Sequence, residues 1–144
     1  MLETGTIVAV VTPEGRGGLA VVRLSGPRAL AVARRLLPPA VLRAPVSSHR
    51  ARLARIRWPR DGADVLPAGT QPAGGAVLDQ ALVLPLLAPR SYTGEDTVEF
   101  FCHGGLVPAR LVVAACRAAG ARAARPGEFT RRAFLAGRLT LTQA

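Results

Sequence analysis

Lysine is missing from this chain of 144 residues, and all 19 basic side chains are arginine. A nucleotide loop of the GxxxxGKS/T kind needs its lysine to reach the phosphates, so no such site exists in this stretch of sequence. Schiff-base chemistry through an ε-amino group is excluded on the same ground. Cysteine is scarce. Cys102 and Cys116 fall on an expected strand and an expected helix, without CxxC or Cys/His metal spacing, and read as small buried apolar residues. Aromatic residues make up only 4% of the chain, too few for the stacking platforms that grip single-stranded nucleic acid. No apolar run approaches a membrane span. The opening stretch, with Glu3 and a short apolar run to Pro13, lacks the basic head and long apolar centre of a signal peptide. We therefore expect a soluble protein of the reducing cytoplasm, with no membrane partner.

What is present suits one folded domain. Hydrophobic residues make up 49% of the chain, which rules out disorder and allows a real core. The net charge of +10 suggests an anionic partner such as RNA, a phosphate or a polycarboxylate. Arginine dispersed over a solvated surface accounts for it equally well, because no dense block appears.

The segment 91–105, SYTGEDTVEFFCHGG, organises the rest. Ser91 to Asp96 form a polar turn, with Gly94 free to take a left-handed backbone. Residues 97–102 are β-branched and aromatic and read as a strand. Gly104 and Gly105 end it, and Pro108 suits the first turn of a following helix. Alternation puts Glu99, Phe101 and His103 on one face and Val98, Phe100 and Cys102 on the other. If the second face is core, Glu99 points towards an aromatic-lined surface. It is then either a carboxylate on the wet side of a half-buried sheet or one held to receive donors from a ligand. Arg23 poses the same question on the strand 19–25, as a snorkelling edge residue or a positioned guanidinium.

Along the chain, 6–12 reads as a strand buried on both faces, joined by a glycine turn to 19–25 as a hairpin. Gly15 to Gly18 form either a tight turn or a nest of N–H groups for an anion. Pro27 starts a helix with Leu30, Ala33 and Leu37 on one face, stopped by Pro38 and Pro39. In the strand 49–58 the arginines change parity between Arg52 and Arg55, which predicts a bulge or bend near Ala54. Its row, Arg50, Arg52, Arg55 and Arg57, is a solvated face or an RNA contact. Residues 61–75 form a flexible loop, and 77–87 an apolar strand. A helix over 108–119 carries Leu111, Val112, Ala115 and Ala119 on its core stripe and Arg110 and Arg117 opposite. An edge strand at 122–124 and a brief helix over 129–136, closed by Gly137, follow. Thr140 and Gln143 have capping-box spacing. One capped turn does not hold itself together in water, so we expect 139–144 to be the truncated start of a further, helical domain after a first domain over 1–138.

Three blocks together carry a resemblance. They are TIVA (6–9) with PEGRGG (13–18) and VRLSG (22–26); SYTGED (91–96) with Glu99 and HGG (103–105); and RPGEFTRRAFL (125–135) running to LTQA (141–144). In this order and spacing the chain resembles the N-terminal domain of the MnmE (TrmE) family of tRNA-modification GTPases, over nearly its whole length apart from a longer loop at 61–75. The resemblance implies an α+β fold, a mixed β-sheet with about three helices, related to folate-binding aminomethyltransferases. It implies a domain that binds a tetrahydrofolate derivative, 5-formyl- or 5,10-methylene-tetrahydrofolate, and forms a homodimer. The family protein adds a helical domain and a GTPase domain that uses GTP, Mg and K. With an FAD-dependent MnmG-type partner it modifies C5 of the wobble uridine, U34, of tRNA. The family's folate-contact positions fall on Arg23, Glu99 and Arg138. Four positions depart from the family pattern: Gly5 stands for the usual Asp, Ala136 and Arg138 for Asn and Lys, and Thr140 for Asp. Without the GTPase domain this chain is expected neither to hydrolyse GTP nor to modify tRNA unaided. An arginine-rich RNA-binding module and a dimerising remnant without ligand are the alternatives.

Overall fold

The computed structural model describes residues 4–13 and 17–144. Its elements in chain order are β1 (Ile7–Val10), β2 (Leu19–Ser25), α1 (Ala29–Arg34), β3 (Arg52–Arg57), β4 (Val77–Leu86), β5 (Thr97–His103), α2 (Leu106–Ala118), β6 (Arg122–Ala123) and α3 (Glu128–Leu135). The strands form one sheet in the order β3-β4-β5-β2-β1-β6. Neighbours are antiparallel except β1 and β6, which run parallel. This is an α+β fold with a mixed sheet and three helices among the described residues.

Alternation along the strands sorts the side chains into two faces. Val22 and Leu24 of β2, Val98, Phe100 and Cys102 of β5, Ala81 and Val83 of β4, and Ala54 and Ile56 of β3 make the inner face, all buried. Helices α1 and α2 cover it. On α2, Ala109, Val112, Ala115 and Cys116 are buried, as is Ala119 at its C-terminal cap, a spacing of three and four that keeps them on one side of a helix. Each large residue fully buried here contributes roughly 1.5–3 kcal/mol.

The hairpin of β1 and β2 forms as expected. Burial of β1 on both faces does not extend along the whole strand: Ile7 and Val8 are fully buried, Ala9 is half-buried and Val10 is exposed. The cause is the edge, since two-residue β6 pairs only with Ile7 and Val8. Of the possible anion nest at 15–18, Gly15 and Arg16 lie outside the described residues. The register shift in β3 lies between Ile56 and Arg57, not near Ala54. Arg52 shares the inner face with buried Ala54 and Ile56 but sits at the end of an edge strand and stays exposed, so the change of parity among the arginines marks the strand end rather than a bulge. The loop 61–75 has neither helix nor strand. It is tied to its surroundings by Ala63 N–H donating to Ala118 O at 2.9 Å and Gly75 N–H to Trp58 O at 2.8 Å. At the chain's end, Thr140 N–H donates to Gln143 Oε1 at 2.9 Å, one half of a capping box.

Candidate functional site

The outer face carries the two misfit residues. β2 and β5 pair so that Arg23 stands directly opposite Glu99, and cross-strand neighbours at this spacing interact. Arg23 Nε donates to Glu99 Oε2 at 3.0 Å, with the side chains 19% and 12% exposed. The guanidinium lies 4.7 Å from the ring centre of Tyr92 and 5.4 Å from that of Phe129, and the negative ring faces favour its charge. Tyr92 is fixed in turn by a 3.0 Å hydrogen bond between its hydroxyl and that of Thr130 on α3. Among the described residues, Nη1 and Nη2 of Arg23 donate no hydrogen bond and Oε1 of Glu99 accepts none. The pair is oriented, yet two NH₂ groups and one carboxylate oxygen are uncommitted.

Arg138 is not part of this pair. It follows α3, its N–H donates to Ala133 O at 2.8 Å, and its side chain is exposed. Its Cγ would stand 3.8 Å from a β-carbon at Gly94, and Ala136 Cβ only 3.1 Å from it. Gly94 takes the left-handed backbone expected of it, φ +79°, and the turn 91–96 lies close to the residues that follow α3. Arg138 thus reaches the turn that carries Tyr92, while Arg23 and Glu99 meet each other.

A second cluster, which the sequence reading did not single out, holds α3 to the sheet. Arg132 Nη1 donates to both oxygens of Glu95 at 3.1 Å, and its Nη2 to Gly5 O at 2.7 Å and Glu128 Oε1 at 3.3 Å. Ser25 Oγ donates to Glu95 Oε2 at 2.8 Å and shares a 2.7 Å hydrogen bond with Thr93. Glu128 also receives both terminal nitrogens of Arg122, and Arg125 N–H at 2.8 Å. The hydrogen bonds from Arg122 lead in drawing the Glu128 carboxyl down to about 2, against the opposing effect of burial. The i, i+4 spacing of Glu128 and Arg132 was the available sequence signal. The contact to Gly5 uses a backbone carbonyl, so it does not depend on the side chain at position 5.

A cavity of about 410 Å³ opens beside this cluster, lined by Thr93, Glu95, Glu128, Arg131 and Arg132 among others. None of Arg23, Glu99 and Arg138 lines it; the Arg23–Glu99 pair lies on the sheet face instead. Cys102 is buried and its thiol is pushed up to about 12, chiefly by burial and then by the Asp79 charge. Burial also pushes the Cys116 thiol up, so both are poor nucleophiles. Among the described residues no cluster of three or more His, Cys, Asp or Glu side chains could hold a metal ion. No described helix is long and apolar enough to cross a membrane.

The fold and the paired site define an α+β module whose sheet displays an oriented acid–arginine pair. The family described as "GTP-binding protein TrmE N-terminus" matches residues 6–138, and the chain belongs to that family. Its relatives include proteins named tRNA modification GTPase MnmE. That of Chloroflexus aurantiacus is 45% identical over 139 residues, 96% of this chain and 27% of the relative. That of Heliobacterium modesticaldum is 48% identical over 141 residues, 96% of this chain and 28% of the relative. That of Thermosynechococcus vestitus is 49% identical over 142 residues, again 96% of this chain and 27% of the relative. The chain therefore spans less than a third of the length of the curated relatives it matches.

Proposed function

We propose that this chain is the folate-binding and dimerising module of a cytoplasmic protein that modifies C5 of the tRNA wobble uridine. The observation that carries the reading is the Arg23–Glu99 pair with its uncommitted groups. A pterin edge offers a ring N–H beside an amino group, and the Glu99 carboxylate can accept from it with charge assistance. The free Nη groups of Arg23 suit the pterin carbonyl, and Arg138 supplies a third basic group for the anionic tail. Bound 5-formyl- or 5,10-methylene-tetrahydrofolate would supply the one-carbon unit. GTP, Mg and K, and an FAD-dependent MnmG-type partner, act through other parts of such a protein.

Dimerisation has support on the same face. Leu53, Leu82, Phe101 and Val21 stand opposite one another across β3, β4, β5 and β2. Leu53 is 62% and Leu82 45% exposed. A second copy covering this row would also wall in the shallow ground around Glu99.

Calorimetry with 5-formyltetrahydrofolate tests the reading. Saturable binding is expected, lost in Glu99→Ala while circular dichroism shows the fold intact. A folded wild-type chain that dimerises but binds no folate would reduce it to a dimerising remnant.

A further inference from the structure

Residues 15–60 contain eleven arginines and not one aspartate or glutamate. Every described carboxylate lies at Asp61 or later; within the stretch Arg23 pairs with Glu99 and Arg35 with Asp61, while Glu95 and Glu128 engage Arg122 and Arg132. Part of the acid-free stretch folds around a recess of about 340 Å³, between residues 40–52 and Pro85 of β4. Arg43, Arg50 and Arg52 line it together with Ser47, and no lining residue is acidic. All three arginines are exposed. Arg52 donates to Ala40 O at 3.3 Å. Arg43 and Arg50 make no side-chain hydrogen bond among the described residues.

The walls of the recess are fixed. Arg34 Nε donates to Leu42 O at 3.0 Å, and Leu42 is buried in the core. His49 N–H donates to Pro85 O at 2.8 Å, and Leu87 N–H to Ser48 Oγ at 2.9 Å. His49 takes a left-handed backbone, φ +63°, which a non-glycine residue adopts only where its surroundings hold it. Guanidinium groups gathered on a fixed wall, with no carboxylate to neutralise them, attract phosphate oxygens and can meet them in bidentate fashion.

We propose that this recess binds the phosphodiester backbone of tRNA. The inference deepens the reading above, resting on its tRNA-modification setting but not on folate. RNA is favoured over a small phosphate ligand because Arg43, Arg50 and Arg52 are all exposed to solvent at the rim of the recess rather than closed around a small anion. Contacts of this kind position an RNA without reading its sequence.

The test is anisotropy of a labelled tRNA transcript titrated with the full chain at several salt concentrations. Combining Arg43→Gln, Arg50→Gln and Arg52→Gln is expected to weaken binding about tenfold or more. It should also flatten the dependence of log K on log salt by about two to three. The charge-matched control Arg90→Gln, Arg110→Gln and Arg117→Gln, all exposed residues elsewhere, should change affinity by less than about threefold. Equal losses in both triple variants, no loss in the first, or no tRNA binding by the folded wild type would overturn the proposal. So would displacement of the tRNA by millimolar inorganic phosphate at matched ionic strength, which would assign the recess to a small ligand. Calorimetry with 5-formyltetrahydrofolate separates the two readings. Unchanged folate binding in the recess variant supports two distinct sites, and its loss overturns them. Wild-type binding of tRNA without folate would strike only the folate reading.

Discussion

Two ion-paired clusters touch α3, one through Phe129 and one through Arg132, and they differ in what they leave over. At Arg23 and Glu99 a single nitrogen meets a single oxygen, and among the described residues the remaining donors and acceptor make no hydrogen bond. At Arg132 every carboxylate oxygen of Glu95 and Glu128 accepts at least one hydrogen bond. The same residue types therefore serve two ends. Saturated pairing locks a helix in place, and incomplete pairing on a locked support keeps chemistry available to a ligand.

Breaking the saturated cluster should have the largest effect. Among the described residues, Arg132→Ala takes the only guanidinium from Glu95, which keeps just the Ser25 hydroxyl, while Glu128 retains Arg122 and the Arg125 N–H, and it should cost about 2–3 kcal/mol. The melting temperature by circular dichroism should fall by about 10 °C. Acid attacks the same cluster. The Glu128 carboxyl is held at about 2 in the fold against an ordinary value of 4.5. Its contribution is therefore complete above about pH 4.5 and fades as pH falls towards 2. The loss should be on the order of 2 kcal/mol, and urea unfolding at pH 6 and pH 3 would measure it. In Glu128→Gln that part of the pH dependence should vanish.

Changes at the open cluster should be milder. Phe129→Leu keeps an apolar side chain under Arg23 but removes the ring, and should cost about 1 kcal/mol in the same melts. Glu99→Gln should move stability by less than about 1 kcal/mol while lowering affinity for 5-formyltetrahydrofolate roughly 10- to 100-fold. If Glu99→Gln destabilised the chain as much as Arg132→Ala, the division between a locking cluster and a presenting one would be wrong.

The sequence made much of this legible. Strand and helix patterns read from period and breakers reappear, because alternation and the glycine and proline signals are local. Arg23 and Glu99 stood out as charges among apolar neighbours, and that is a local signal too. Their direct pairing was not legible, since the register between β2 and β5 is a property of the closed sheet. The roles of Glu95 and Arg132 were hidden for the same reason: their partners come from the turn, from β2 and from the chain near Gly5. The parity change in 49–58 misled because sequence does not show where an edge strand runs out of cover. The acid-free stretch was visible all along, but counting arginines alone, without asking where the carboxylates were, made them look evenly scattered.

Arg23 and Glu99 meet across 76 positions of chain, on strands whose union requires the intervening residues to have folded back. No short-range event assembles that contact, and chain-closure entropy must be met before it forms. On the folate reading proposed above, ligand affinity at this spot would be an all-or-none gauge of maturation. A translation product halted before Thr97 would hold a lone guanidinium without its counter-charge, so cofactor capture would certify that synthesis had passed β5.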